Sequence, residues 1–178
     1  MILTVTLNAA LDVTYEVSRL EPNATHRVRA VHRRAGGKGV NVARVLRALA
    51  HDVLVTGLAG GPTGAGIRAD LAESGIPDAF VPIAGDARRT VTVTTGDGGA
   101  TVFTEPGPPV AAAEWAQFLD AYRDLARRAA VVVLSGSLPA GLPGDAYARL
   151  LRDAAGAVTI LDTSGDPLRA GLAGRPHV

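Results

Sequence analysis

Between residues 33 and 46 the sequence reads RRAGGKGVNVARVL, a glycine-rich stretch that feeds an apolar, helix-like segment. A turn of this kind opening a helix exposes several backbone N–H groups, and with the helix dipole these favour an anion or a hydroxyl-rich ligand. Gly37 allows close approach, Lys38 adds a positive charge, and the Asn41 amide can both donate and accept. An ATP-binding loop of the GxxxxGK[ST] type needs Ser or Thr after the lysine, and Gly39 stands there instead. The competing reading is a tight turn that only packs a helix against a strand.

Other residues have matching chemistry. Ser135, Gly136 and Ser137 in LSGSLPAGLP follow the apolar run VVVL, and the carboxyl end of a strand is where open α/β sheets bind ligands. A phosphate or sugar contact and a plain strand exit both fit. GxSxG is absent, which argues against a serine hydrolase. Asp12, after TLNAAL, and Asp162, in LDTSG, could each grip vicinal hydroxyls, or serve as an Asx turn or helix cap. Arg88 and Arg89 open a strand-like run, where one guanidinium could hold a phosphate in a fork or both could line a solvated edge. Gly64, Gly66 and Ala69 form G-x-G-x-x-A, with Asp86 twenty residues after Gly66. In a dinucleotide site the first glycine follows the strand directly, whereas Gly64 lies several residues beyond it, so packing is the favoured role there.

The elements that must hold these residues alternate. ILTVTL (2–7), VLVTGLA (53–59), VVVL (131–134) and VTIL (158–161) are short, β-branched and nearly free of charge, as strands covered on both faces should be. Helices are expected at 41–50, 65–74, 115–125, 145–154 and 166–173. In the first of these, Val42, Val45, Leu46 and Leu49 fall on one apolar face. Trp115 sits in a similar stripe with Phe118, Leu119, Tyr122 and Leu125, and is read as core. Segments 13–18 and 26–34 alternate like an exposed sheet, and TVTVTT and ATVFTE flank GDGG at 96–99 as a hairpin. The whole predicts one α/β domain over 1–178: a mostly parallel sheet flanked by helices, with a small antiparallel sheet inserted as segments of about 13–34 and 88–105. That appendage could act as a lid or a dimer contact.

Composition narrows the function classes. The 178 residues carry 18 Lys and Arg against 17 Asp and Glu, so no global field recruits nucleic acid or an anionic membrane, and any anion site is local. No cysteine occurs, and the four histidines show no zinc-ligand spacing, so no metal site is expected in this chain. The longest apolar run, Ala129–Leu134, falls short of the roughly 20 residues of a membrane span. The amino terminus lacks a signal-peptide pattern, and a cytoplasmic location is expected.

Taken in order, TLNAALD, AGGKGVNVARVL, LAGGPTG, DARRTVTV, VVLSGSLPAGLP and LDTSGDPL resemble the ribokinase-like (pfkB) sugar kinases. They are most similar to the branch containing 1-phosphofructokinase and tagatose-6-phosphate kinase. The resemblance runs through nearly the whole chain. It implies transfer of the ATP γ-phosphoryl group, assisted by Mg²⁺, to a sugar-phosphate hydroxyl, with fructose 1-phosphate as the expected acceptor and tagatose 6-phosphate or fructose 6-phosphate as alternatives. By motif, Asp12, Gly37, Lys38 and Asn41 are implied as sugar contacts, and Arg88 and Ser137 as contacts near the substrate phosphate. It also implies a homodimer formed through the β lid in the full-length protein. Ala9 stands where the family has proline. The family's catalytic base lies in a Gly-Ala-Gly-Asp motif that this sequence lacks, Gly64-Ala65-Gly66 being followed by Ile67. The base is therefore expected beyond Val178, and the chain is expected to be an amino-terminal portion that holds the acceptor half, has no turnover alone and leaves apolar sheet uncovered. A rival reading is a noncatalytic nucleotide-binding α/β module built around Gly64.

Overall fold

The computed structural model describes residues 1–154 and 156–178. Strands β1 (Ile2–Thr6), β4 (Val53–Leu58), β5 (Asp78–Val81), β8 (Val131–Ser135) and β9 (Val158–Asp162) form a parallel sheet in the order β5-β4-β1-β8-β9. The four predicted buried strands all lie in it. β5 was not anticipated; at four residues and opening on Asp78, it carries too little apolar pattern to stand out.

Helices cover both faces of this sheet, as parallel strands require. On one side, α3 (Ala112–Ala126) and α4 (Ala146–Asp153) bury Phe118, Tyr122, Tyr147 and Leu150 against Leu3, Val5 and Leu134. Trp115 is 6% exposed and stacks on Phe118 with centroids 5.5 Å apart, a core position as expected. On the other side lie α1 (Lys38–Ala48) and α2 (Gly61–Glu73), whose Val40, Ala43, Ile67 and Leu71 meet Val53, Val55 and Phe80.

The α1 stripe is a correction. Val45 and Leu49 are 60% and 64% exposed, and the buried face is Gly39, Val40 and Ala43. Small residues face the sheet because α1 approaches β1 closely. A Cβ on Gly39 would lie 2.8 Å from the Val5 carbonyl oxygen and 2.3 Å from Thr6 Oγ1, so a larger side chain would push the helix away.

A second sheet is inserted between these elements in the order β3-β2-β6-β7, from β2 (Ala10–Val17), β3 (Ala30–Gly36), β6 (Arg88–Thr95) and β7 (Ala100–Thr104). It is mixed and not purely antiparallel. β2 and β3, and β6 and β7, run antiparallel, while β2 and β6 pair in parallel along their whole length. The two hairpin-like segments come from distant parts of the chain and meet side by side in the same direction, a relation that local turn signals do not encode. The root of this sheet is tied down by Asp70 of α2. Its Oδ2 accepts from the Ala35 N–H at 2.9 Å and pairs with Arg44 of α1, which also donates to Ser74 Oγ.

Helix α5 (Gly165–Gly171) and a short 3-10 turn (Leu172–Gly174) follow β9. The last two residues then return along its open edge: Val178 N–H donates to the Thr159 carbonyl and Leu161 N–H to the Val178 carbonyl. No helix among the described residues is long and apolar enough to cross a membrane.

Candidate functional site

The carboxyl ends of β1 and β8 open onto a cleft of about 200 Å³, lined by Thr6, Asn8, Gly37, Lys38, Arg88, Gly136, Ser137, Thr163 and Ser164. Five separate segments supply it, and hydrogen bonds cross-link several of them. Asn8, just past β1, joins three of them: its Nδ2 donates to Ser137 Oγ at 3.1 Å and to the Pro106 carbonyl at 3.2 Å, and its own carbonyl accepts from Arg88 Nε at 3.1 Å.

Arg88, the first residue of β6, has its remaining contacts with neutral acceptors, Thr90 Oγ1 and the Glu105 carbonyl. It has no carboxylate ion partner among the described residues, so its charge is available to a ligand. Lys38 opens α1, which Gly37 caps without any side-chain acceptor for the first-turn N–H groups. Lys38 Nζ lies 3.0 Å from Asp162 Oδ1 at the end of β9, and Ser135 Oγ donates to the other oxygen of the same carboxylate at 2.9 Å. These two partners hold the Asp162 carboxyl below its ordinary 3.8. Asp162 thus neither caps a helix nor forms an Asx turn: the N-cap of α5 is Ser164.

Gly37, Lys38, Arg88 and Ser137, four of the six sequence candidates, line this one cleft. Asp12 lies beside it, third along β2, between Arg34 of β3 and Thr90 of β6, and not at the end of a buried strand. Its carboxylate packs on Gly36, where a Cβ would come within 2.0 Å of Oδ2. Burial pushes its pKa up from 3.8, against the pull of the Thr90 hydroxyl and of the Arg88, Arg34 and Arg44 charges. Asn41 is exposed on α1 and is not among the lining residues.

Sequence reasoning missed Thr6, Asn8, Thr163 and Ser164 as lining residues. Asn8 stands directly after the predicted strand 2–7, and Thr163 one residue past the predicted strand 158–161, positions that carried enough signal to name them. Thr6 gave no such cue, because it ends a buried strand. Its Oγ1 is buried and has no hydrogen-bond partner.

The Gly64 cluster has a different role. α2 begins at Gly61, so Gly64 and Gly66 lie inside the helix, and its amino terminus is already occupied by Asp86, which accepts from Thr63 N–H and Thr63 Oγ1 at 2.8 Å each. That leaves neither the loop nor the free acid that a dinucleotide would need.

The sequence matches the pfkB family of carbohydrate kinases over residues 5–177. The chain superposes on phosphofructokinase-2 from Escherichia coli in its tetrameric inhibited form with a TM-score of 0.90, at 31% identity over 97% of this chain and 57% of that one. For the same enzyme in complex with fructose-6-phosphate the TM-score is 0.89 at 30% identity, covering 97% and 58%. A possible 1-phosphofructokinase from Thermotoga maritima gives 0.90 at 28% identity, covering 98% and 57%. The chain therefore spans little more than half the length of these relatives, and its fold is the ribokinase-like one that the motif order implied. With the family match running almost end to end, this chain belongs to the pfkB family of carbohydrate kinases.

Proposed function

We propose that the chain forms the acceptor-binding half of an ATP-dependent sugar-phosphate kinase, with fructose 1-phosphate as substrate and fructose 1,6-bisphosphate as product of the whole protein. One observation carries this reading: Lys38 and the unneutralised Arg88 share a small polar cleft with Asn8 and Ser137. Arg88, a lysine that it would share with Asp162, and a hydroxyl suit a phosphate, and the cleft's volume suits a group of that size. Asp12, beside the cleft, supplies the acceptor pair for sugar hydroxyls, and Asn41 is proposed as a further sugar contact.

Fructose 6-phosphate is the second reading, supported by the matching phosphofructokinase-2 whose complex contains it. Tagatose 6-phosphate is a further alternative. ATP and Mg²⁺ belong to the proposal for the whole protein. The residues present do not fit either group: no cluster of three or more His, Asp or Glu able to hold a metal ion occurs among the described residues, and the glycine-rich helix start at Gly61 is filled by Asp86. A cytoplasmic location and a homodimer through the second sheet complete the proposal. The dimer is supported by the apolar face that Tyr15, Val31, Val91 and Phe103 share, on which Val31 and Phe103 are 44% and 56% exposed.

Calorimetric titration tests the reading. Fructose 1-phosphate should bind more tightly than fructose, and Arg88→Ala should weaken it at least tenfold, the scale of a charged hydrogen-bonding group lost at about 1.5–3 kcal/mol. Equal affinity for fructose and its phosphate would overturn it. The chain alone should release no ADP from ATP in a coupled assay.

A further inference from the structure

Gly136, where β8 enters the cleft, adopts φ +114, a conformation that side chains rarely tolerate. Its carbonyl accepts two hydrogen bonds. Tyr147 OH donates from α4 at 2.9 Å, and Thr163 Oγ1 donates from the loop after β9 at 2.8 Å. Its N–H in turn donates to the Asp162 carbonyl at 3.0 Å. The turn is therefore anchored on both sides of one glycine.

This arrangement fixes more than the glycine. The carbonyl of Gly136 and the N–H of Ser137 belong to one trans peptide, in which the two groups point in opposite directions. With the carbonyl drawn toward the buried Tyr147, the Ser137 N–H is turned away from that core, and it has no partner among the described residues. Ser137 lines the cleft that also holds Lys38 and Arg88. Burial pushes the Tyr147 phenol well above its ordinary pKa, so it remains a donor throughout the working pH range.

We propose that Tyr147 and Thr163 are positioning residues: by occupying both lone pairs of the Gly136 carbonyl, they hold the Ser137 N–H as a backbone donor for the anion in the Lys38–Arg88 cleft. Neither residue was singled out by type or spacing, because a tyrosine on a helix and a threonine after a strand carry their roles only through where the carbonyl ends up. Tyr147 acts from the core side, without lining the cleft. The inference rests on the sugar-phosphate reading for the identity of the anion, but the orientation of the peptide is independent of it.

The test uses the full chain, with inorganic phosphate and fructose 1-phosphate as probes. Tyr147→Phe keeps the buried ring and removes the donor. It should weaken both ligands about three- to tenfold, the scale of one neutral hydrogen bond. Adding Thr163→Val should weaken them further, whereas Thr163→Ser, which keeps the hydroxyl, should bind like the parent chain. The Ser137 amide resonance should be sharp in the parent and shifted or broadened in Tyr147→Phe. Unchanged affinity together with an unmoved Ser137 amide in the double variant would overturn the proposal. If the parent chain binds neither probe, the sugar-phosphate reading fails, and the amide resonance alone decides the positioning role. Should Tyr147→Phe fail to fold, Thr163→Val carries the same comparison.

Discussion

At Asp12 the proposed sugar contact and stability pull in opposite directions. Burial raises its carboxyl above 3.8, so the folded chain holds the proton more tightly than the unfolded one. Stability then falls as the pH rises from 3.8 through the raised value, and above it the ionised Asp12 carries the full cost. Asp12→Asn should therefore melt higher than the parent chain at pH 7, with the difference vanishing below about pH 4, while fructose 1-phosphate binding is lost. Thermal melts at the two pH values check the first part and titration the second. Asp162 has the opposite sign: its lowered pKa adds stability above 3.8 that disappears as the pH falls through the lowered value. That contribution is small, because the Lys38–Asp162 pair is about half exposed on each side.

Among the elements, the tie between α1, α2 and the second sheet rests on one nearly buried ion pair. Arg44 is only 11% exposed, and removing its partner leaves a nearly buried charge uncompensated. Asp70→Ala should cost about 3 kcal/mol, read as a lowered denaturation midpoint, and should loosen β3 first in hydrogen exchange, since the Ala35 N–H loses its acceptor as well. Leu49→Ser, on the exposed side of α1, should change stability by less than about 0.5 kcal/mol. Hydrophobic periodicity alone would assign Leu49 to the core. It misjudged α1 because the close contact with β1 selects Gly39 and Ala43, small residues that periodicity cannot weigh. The buried strands were legible because burial on both faces leaves an unbroken apolar run. The parallel pairing of β2 with β6 was not, since nothing near either segment records a partner about 80 residues away. The glycine loop and Ser137 could be read from their place at strand ends. The hydrogen bonds from Asn8 that join them depend on tertiary position.

For the molecule as a whole, the apolar face of the second sheet is the feature that most affects behaviour in solution. Phe103 and Val31 stand exposed on it at its two edge strands, in adjacent cross-strand rows that also hold Val91, Val13, Val93 and Tyr15. Phe103→Asp should shift the chain toward monomer in sedimentation analysis without lowering its melting temperature by more than a few degrees. A full-length protein that stays monomeric at high concentration would rule out the proposed dimer.

The contacts that close the cleft also bear on how the chain reaches its final form. The bonds from Asn8 to Ser137 and from Lys38 to Asp162 join residues 129 and 124 positions apart. Bringing such distant residues together costs loop-closure entropy before any contact repays it. The proposed anion site is therefore expected to form late in folding, after the helices and first strands. In stopped-flow refolding, recovery of phosphate binding should lag behind far-ultraviolet circular dichroism, so ligand occupancy reports completed assembly and not the presence of secondary structure.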